Sequence, residues 1–450
     1  MQEDRNKILV DSIKRLLRRD AVSHLKKIVN KTHAADLSII FRSLSLNDQH
    51  KLFHMIEDTE QKGILLSELD ENAFPDFADE LDIDDIVAIL EQMPKDDVAD
   101  LIVRFPKDKA DTILEKMNQE GSDEVEGLLS YQKDTAGGIM VPDFIALSED
   151  ATAKEAIESL QKEHQDVEMP FYLYVLNEQE KLLGVISLRQ LVVVPPQTPL
   201  KNFMTSDVFY VTTDTDQEEV AKLVARYDIL AVPVVDDKNR LVGIVTVDDV
   251  IDIFRMEATE DILKMAGLGE EFTETQSIFK STKTRLPWLF ASCIGGILAL
   301  FIIKHFESNL SESIFLAPFI PVIMGMGGNI GTQSSTIVVR GIATGRYDFK
   351  DLQKVVSKEL AIGSILGIIY GCMIASVAQL QYNTILLSVS VSAAVFTSMS
   401  VAAFIGSMCP MIFTRMNIDP AVATGPFVTS IIDIVSIFCY FKITTLLIGI

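Results

Sequence analysis

The stretch Pro318–Gly341, PFIPVIMGMGGNIGTQSSTIVVRG, sets the architecture of the whole chain. It is long and apolar enough to cross a bilayer, which takes about 20 such residues. Yet it places Gly325, Gly327, Gly328 and Gly331 within seven residues. Each glycine weakens a helix by about 1 kcal/mol relative to alanine. Close packing of helices through small residues is one reason to accept that cost. The polar residues Asn329, Thr332, Gln333, Ser334 and Ser335 favour another, a helix opened so that backbone carbonyls and Asn329 face a polar pathway. Irregular backbone at membrane depth is tolerated only inside protein or beside water.

Four more apolar stretches surround this one, giving five expected spans near Leu286–Phe306, Ile314–Val339, Val355–Leu380, Ile385–Phe413 and Ala421–Ile450. The fourth and fifth are long enough that a tilt or a break is expected. Lys283 and Arg285 precede the first span, Arg340, Arg346, Lys350, Lys354 and Lys358 join the second to the third, and Arg415 joins the fourth to the fifth. The remaining loops, ESNLSES and QLQYNT, carry no Lys or Arg. Positive-inside asymmetry then places the N-terminal half in the cytoplasm and Ile450 outside a plasma or inner membrane. The N-terminus has no apolar core or cleavage site of a signal peptide, in keeping with that orientation.

Charge divides the 450 residues sharply. Residues 281–450 hold 10 basic and 7 acidic side chains, which leaves 30 basic and 57 acidic in residues 1–280. An acidic soluble body is thus attached to a nearly uncharged membrane part. The net charge of −24 argues against nucleic acid as a partner, since phosphate binding needs Lys and Arg. It suits cations instead. All four cysteines lie in the apolar half and no CxxC occurs, so neither a disulfide framework nor a cysteine zinc site is indicated.

The acidic half divides again. Residues 1–135 show helix-period apolar spacing, and three consecutive pieces, DIDDIVAILEQMP, KDDVADLIVRFP and KDKADTILEKM, resemble one another. Stacked short helices in a superhelical array are expected, because none of them buries its apolar stripe alone. Residues 136–256 hold a second repeat. LLGVISLRQ at Leu182–Gln190 matches LVGIVTVDD at Leu241–Asp249, with Gly184 and Gly243 in equivalent places. Each match follows a helical segment and a strand, so a tandem βαββα pair is expected, 136–200 and 201–256. The repeat resembles a pair of CBS modules. A charged connecting helix of the plug type, 257–284, is expected to lead to an α-helical membrane domain of five helices, 285–450.

Asp433 is the one carboxylate read as lying deep in an apolar run, GPFVTSIIDIVSIFCYF. Burying a charge there costs at least ~2.5 kcal/mol, which makes a functional role the default. Asp419 stands at the start of the same span, just before Pro420. Oxygen donors without His or Cys nearby indicate a hard cation. Mg2+ sheds water reluctantly and prefers one or two carboxylates with oxygens that bond its retained waters, which Asp433 and the carbonyls around Gly325–Asn329 could supply.

Together GMGGNIGTQSS, the DPAVATGPFVTS stretch with its following Asp433, RLPW before the first span, the CBS pair and the acidic helical N-domain resemble the MgtE family of Mg2+ channels across essentially the whole chain. The resemblance implies a homodimer in the lipid bilayer whose second and fifth spans form the pore. It implies that Asp433 selects the ion, that Asp419 lies at the cytoplasmic mouth, and that Asn329, Gly325 and Gly328 belong to the pore-lining segment. It also implies that the cytosolic domains sense Mg2+. Candidate sensing ligands are Asp96, Asp97 and Asp100 on the helical stack. On the second CBS module and the connector they are Asp214, Asp216, Glu218, Asp228, Asp248, Asp249, Asp252, Glu257, Glu260 and Asp261. Bound divalent cations would relieve the repulsion among these acids, favour a compact arrangement and close the pore, a negative feedback. Mg2+ is thereby both cargo and regulator.

CBS pairs can bind adenine nucleotides, and an Asp after the last strand commonly holds the ribose. Asp249 stands there in the second repeat but Gln190 in the first, with Arg189 beside it able to meet phosphate. ATP binding is therefore expected to be weak or absent. A Na+-coupled divalent-cation exchanger is the competing expectation. No P-loop or paired catalytic constellation occurs, so an enzyme is not expected.

Overall fold

Short amphipathic helices with strong caps build the N-terminal part of the chain. The computed structural model describes residues 2–19, 21–69, 73–162, 169–268, 278–306 and 314–448. The loop 307–313, the connector stretch 269–277 and the last two residues of the fifth expected span lie outside the described residues. Two compact units divide the chain, Met1–Phe254 and Arg255–Ile450.

The first unit opens with helices α1 (Gln2–Arg18), α2 (Val22–Val29), α3 (Ala34–Arg42), α4 (Leu46–Phe53), α5 (Thr59–Ser67), α6 (Phe74–Asp79), α7 (Ile83–Leu90), α8 (Lys95–Arg104), α9 (Lys107–Lys116) and α10 (Gln119–Leu129). Ser45, Asp58, Asp82 and Asn118 cap α4, α5, α7 and α10 by accepting a backbone N–H that the first turn leaves unpaired. The three repeated pieces of sequence are α7, α8 and α9, and the prolines that close the first two sit just ahead of the next helix, Pro94 before α8 and Pro106 before α9. Each helix is too short to stand alone, so the stack is held by its buried faces. Phe77 is fully buried at the centre, edge-on to Phe41 and Phe53 and stacked on His50.

Two three-stranded sheets follow. In the first, β1 (Ala146–Ser148) runs parallel to β2 (Tyr172–Leu176), which pairs antiparallel with β3 (Leu182–Ser187); α11 (Ala153–Lys162) lies between β1 and β2 and α12 (Leu188–Val193) follows. The second repeats the order with β4 (Val211–Thr212), α13 (Gln217–Tyr227), β5 (Ala231–Val235), β6 (Leu241–Thr246) and α14 (Val247–Met265). The registers coincide, Val175 opposite Gly184 and Val234 opposite Gly243. At both glycines a methionine from a neighbouring segment crosses so closely that a Cβ would lie 2.7 Å from its sulfur, Met204 in the first module and Met140 in the second. Val211, Val220, Val232, Val245 and Ile253 of the second module share one core with the helical stack, whereas Ile145, Leu173, Ile186 and Leu191 form a separate core inside the first.

The second unit contains five helices long and apolar enough to cross a membrane: α15 (Ile278–His305), α16 (Ile320–Ala343), α17 (Leu352–Tyr382), α18 (Ile385–Arg415) and α19 (Pro426–Ile448). Two sequence expectations need correction here. The glycine-rich span is not opened, since α16 is one unbroken α-helix. Its glycines remove side chains rather than backbone hydrogen bonds. The fourth span runs unbroken past Pro410, and the fifth is broken at its start, where the 3-10 turn Pro420–Thr424 precedes α19. The connector is not one helix either: α14 continues from the second module to Met265, and α15 begins at Ile278.

Ser390, Thr397, Ser400 and Ser407 donate to carbonyls four residues back, so α18 carries hydroxyls into an apolar setting without leaving them unpaired. The buried Tyr440 hydroxyl on α19 donates to the Leu316 carbonyl at 2.7 Å, tying α19 to the turn that leads into α16. In the helical stack, Phe77→Ala should lower stability by about 3–5 kcal/mol through lost burial and the cavity left behind. Thermal unfolding followed by circular dichroism measures this, and an unchanged midpoint would contradict the assigned core.

Candidate cation pathway and acidic surface

On α16 the glycines bring two other helices close. A Cβ at Gly327 would lie 2.6 Å from the Ser436 hydroxyl of α19 and 3.0 Å from the Ser398 hydroxyl of α18. One residue on, a Cβ at Gly328 would stand 3.8 Å from Asp433 Oδ1. Nothing lies within 4 Å of the corresponding point at Gly325. Asp433 is half-buried and Asn329 is exposed. The structure therefore brings Asp433 next to a side-chain-free strip of α16, with Ser398 and Ser436 hydroxyls beside it. Ser335 and Ser398 carry buried hydroxyls without a hydrogen-bond partner among the described residues. An all-oxygen set of this kind suits a hard cation that keeps its waters.

Asp419 caps the turn before α19, its Oδ1 accepting from the Ala421 N–H at 2.8 Å. Its Oδ2 accepts from Lys264 Nζ at 2.6 Å, and the same ammonium pairs with Glu260. Two residues assigned to different tasks by sequence, Asp419 and Glu260, thus share one lysine that sequence spacing gave no reason to single out. Gly267, at φ +73°, packs against Pro426, where a side chain would meet both the strained backbone and the ring.

A second omission is Glu359. It is 4% exposed on α17 and accepts a hydrogen bond from Ser334 of α16 at 2.9 Å. Asp433 is therefore not the one carboxyl buried in the membrane unit. The signal was present in the sequence as a lone acid in the expected third span, but the nearby Lys354 and Lys358 made it look like part of a charged loop.

The cytosolic acids fall into distinct settings. Asp96, Asp97 and Asp100 begin or continue α8, and Asp248, Asp249 and Asp252 begin α14. Desolvation by the surrounding protein, then Asp100, Asp248 and Asp252, raise the Asp97 carboxyl to about 6 although its side chain still reaches solvent. Asp249 is also raised to about 6, first by desolvation and then by Asp248 and Asp97, against the Thr246 hydroxyl that donates to it at 2.5 Å. Asp100 is raised by desolvation, with Lys133 and Arg104 opposing. These acids form one electrostatic patch. Asp214, Asp216, Glu218 and Asp228 each take part in local structure. Asp214 accepts from the Thr212 hydroxyl, Asp216 caps α13, Glu218 pairs with Lys222 at 2.8 Å, and Asp228 ends α13 in the left-handed region. Glu257, Glu260 and Asp261 lie further along α14. Among the described residues no three His, Cys, Asp or Glu side chains form a ready-made metal cage, so an ion on this patch would be held partly through its waters.

The two repeats differ at their equivalent positions. Gln190 closes a capping box with Ser187, its Oε1 accepting from the Ser187 N–H and hydroxyl, just as Asp249 accepts from Thr246. Arg189 beside it is exposed.

Comparison with known proteins sharpens this geometry. Residues 320–443, which contain α16 to most of α19, match the MgtE family, described as a divalent cation transporter. Residues 32–134 match the MgtE intracellular N domain, and 136–197 and 200–255 match CBS domains. The magnesium transporter MgtE of Thermus thermophilus is 38% identical over 327 residues, 72% of each chain. The chain belongs to the MgtE family. The Bacillus subtilis magnesium transporter MgtE is 36% identical over 332 residues, 74% of each chain. Among solved structures, the cytosolic domain of an MgtE Mg2+ channel in complex with ATP covers 54% of this chain and 99% of its own length, with a TM-score of 0.52 and 34% identity. The soluble part of a magnesium transporter covers 56% and 99%, with a TM-score of 0.51 and 28% identity. The helical N-domain and CBS pair thus have the fold of MgtE cytosolic parts, and the family places the five long helices in a membrane.

The raised carboxyls predict a pH dependence. For Asp97 and Asp249 the folded value, about 6, lies above the ordinary 3.8. Below 3.8 both are protonated folded or unfolded and the patch costs nothing. The penalty grows as pH rises through about 6 and is complete above it. Without divalent ions the first unit should therefore unfold at a lower temperature at pH 7 than at pH 5. Added Mg2+ should raise the midpoint at pH 7 and have much less effect at pH 5, where protons occupy the same oxygens. Equal Mg2+ shifts at both pH values would rule the patch out as the binding surface.

Proposed function

We propose that this chain is a Mg2+-selective channel, a homodimer of the plasma or inner membrane whose pore is closed by cytosolic Mg2+. The carrying observation is Asp433 beside the side-chain-free strip of α16 at Gly328. A carboxylate at membrane depth facing a helix surface with no side chains can hold a divalent ion through its first-shell waters without stripping them. Relatives named as magnesium transporters, one of them described as a Mg2+ channel, support Mg2+ as cargo. On this reading α16 and α19 of each protomer line the pathway, with Asn329 and the Gly325–Gly328 strip on its wall and Asp419 at the cytoplasmic mouth. The loop charges support an N-terminus in the cytoplasm.

The sensing role is assigned to the patch of Asp97, Asp100, Asp248, Asp249 and Asp252 in the first unit, and separately to Glu257, Glu260 and Asp261 further along α14. Mg2+ binds the arrangement in which these carboxylates are close and shifts the population towards it. Residues 1–135 and 136–256 are the sensing domains, 257–284 the connector and 285–450 the pore domain. A relative's cytosolic domain holds ATP. In this chain Gln190 offers the ribose no anionic acceptor, so the nucleotide affinity is assigned as weak, with Arg189 able to meet phosphate.

Two variants separate pore from sensor. Asp433→Ala should abolish Mg2+ flux into liposomes while the dimer stays intact by gel filtration; wild-type flux would remove Asp433 from the pathway. Replacing Asp97, Asp249 and Glu257 together with Asn, Asn and Gln should leave the pore conducting at millimolar internal Mg2+. Closure at the wild-type concentration would place the sensor elsewhere.

A further inference from the structure

A buried carboxyl in a membrane helix is retained for a reason. Glu359 is 4% exposed, and its partner Ser334 is 1% exposed. The two meet at 2.9 Å across helices that otherwise pack chiefly on α18 rather than on each other. Glu359 lies one turn before Gly363, Gly367 and Gly371, at the same four-residue spacing. Those glycines let α17 ride on the α18 backbone: a Cβ at Gly367 or Gly371 would lie 3.0 Å from Phe396 Cα or the Ser392 carbonyl oxygen. At the end of this bare ridge Glu359 is the first side chain long enough to reach α16.

What it fixes follows from the next contact. Gly331 of α16 and Gly406 of α18 touch backbone to backbone. Such a contact sets how closely the helices approach, and the buried Ile323, Ile330, Val338 and Val339 of α16 pack around it without directional preference, so neither fully stops α16 turning about its own axis. A hydrogen bond three residues further on is directional and does. Ser334 follows Asn329 by five residues, which at 3.6 residues per turn places them about 140° apart around the helix. Pinning the buried Ser334 face therefore sets where the exposed Asn329 points.

We propose that Glu359 is a positioning residue for ion passage: through Ser334 it fixes the rotation of α16 and keeps Asn329 and the bare face at Gly328 turned to the pathway. This rests on the pathway running between α16 and α19. A serine hydroxyl can donate to a carboxylate or accept from a carboxyl, so the link holds in either protonation state.

The test uses the full chain in liposomes. Glu359→Leu and Ser334→Ala should each cut Mg2+ flux about tenfold, whereas Glu359→Gln, whose amide oxygen still accepts from Ser334, should keep at least about half. The double variant Glu359→Leu with Ser334→Ala should be no worse than either alone, because both remove one bond. Rotation is read directly by Asn329→Cys in a background where Cys293, Cys372, Cys409 and Cys439 are alanine. Its labelling by a water-soluble thiosulfonate should slow about tenfold when Glu359→Leu is added and recover with Glu359→Gln. Should Glu359→Leu fail to insert, Ser334→Ala carries the same measurement. Unchanged labelling in these variants, or a loss in Glu359→Gln equal to that in Glu359→Leu, overturns the proposal. Wild-type flux in Asp433→Ala would instead sink the pathway on which it rests.

Discussion

A small divalent ion holds its water too tightly to be stripped at each step, and on the proposed reading this is the constraint that the membrane unit meets. The wall beside such an ion must be polar yet thin, because a full side chain would occupy the space of a water molecule. Glycine on an intact helix answers both demands. At Gly328 the backbone of α16 approaches the Asp433 carboxylate with nothing between. The helix keeps its own hydrogen bonds, so no orphaned carbonyl is exposed to lipid. The glycines themselves offer no side chain to key α16, which is otherwise held by the buried Ile323, Ile330, Val338 and Val339. Neighbouring contacts, Tyr440 to the Leu316 carbonyl and Glu359 to Ser334, then fix what the glycines cannot.

The acidic surface obeys the opposite logic. There the chain gathers like charges and keeps them near water. Desolvation first, and then neighbouring carboxylates, push Asp97 and Asp249 to about 6, while Lys133 and Arg104 oppose the rise at Asp100. A surface of that kind is a poor stabiliser, and on the proposed reading its packing depends on the cation that neutralises it. Lys264, shared by Asp419 and Glu260 in the other unit, shows an ammonium meeting the same kind of demand from within the chain.

Much of this architecture was legible in the amino-acid order because it rests on periodicity. Five apolar stretches gave five long helices, and two matched segments gave two sheets in the same register. The three acidic pieces became α7, α8 and α9. What could not be read depends on distance in space. The glycine run pointed to a broken helix, since sequence shows that side chains are missing but not whether the backbone bonds remain. Glu359 was lost among loop charges, because its depth is set by the ridge of α17 on α18 and not by its neighbours in sequence. The pairing of Lys264 with Asp419 joins residues 155 apart, beyond the reach of any local pattern. Conversely, Asp214 and Glu218, which composition grouped with the sensing acids, are engaged in turn and helix bonds of their own.

The two CBS modules are alike in register but not in what they lean on. The second shares its apolar interior with the helical stack, while the first keeps its own and meets the second through a smaller cluster that includes Val141, Tyr174 and Ile244. Cooperative units of unequal stability follow from such an arrangement. Opening the first module exposes its own core and the cluster it shares with the second, whereas opening the second also exposes the apolar face of the N-terminal helices.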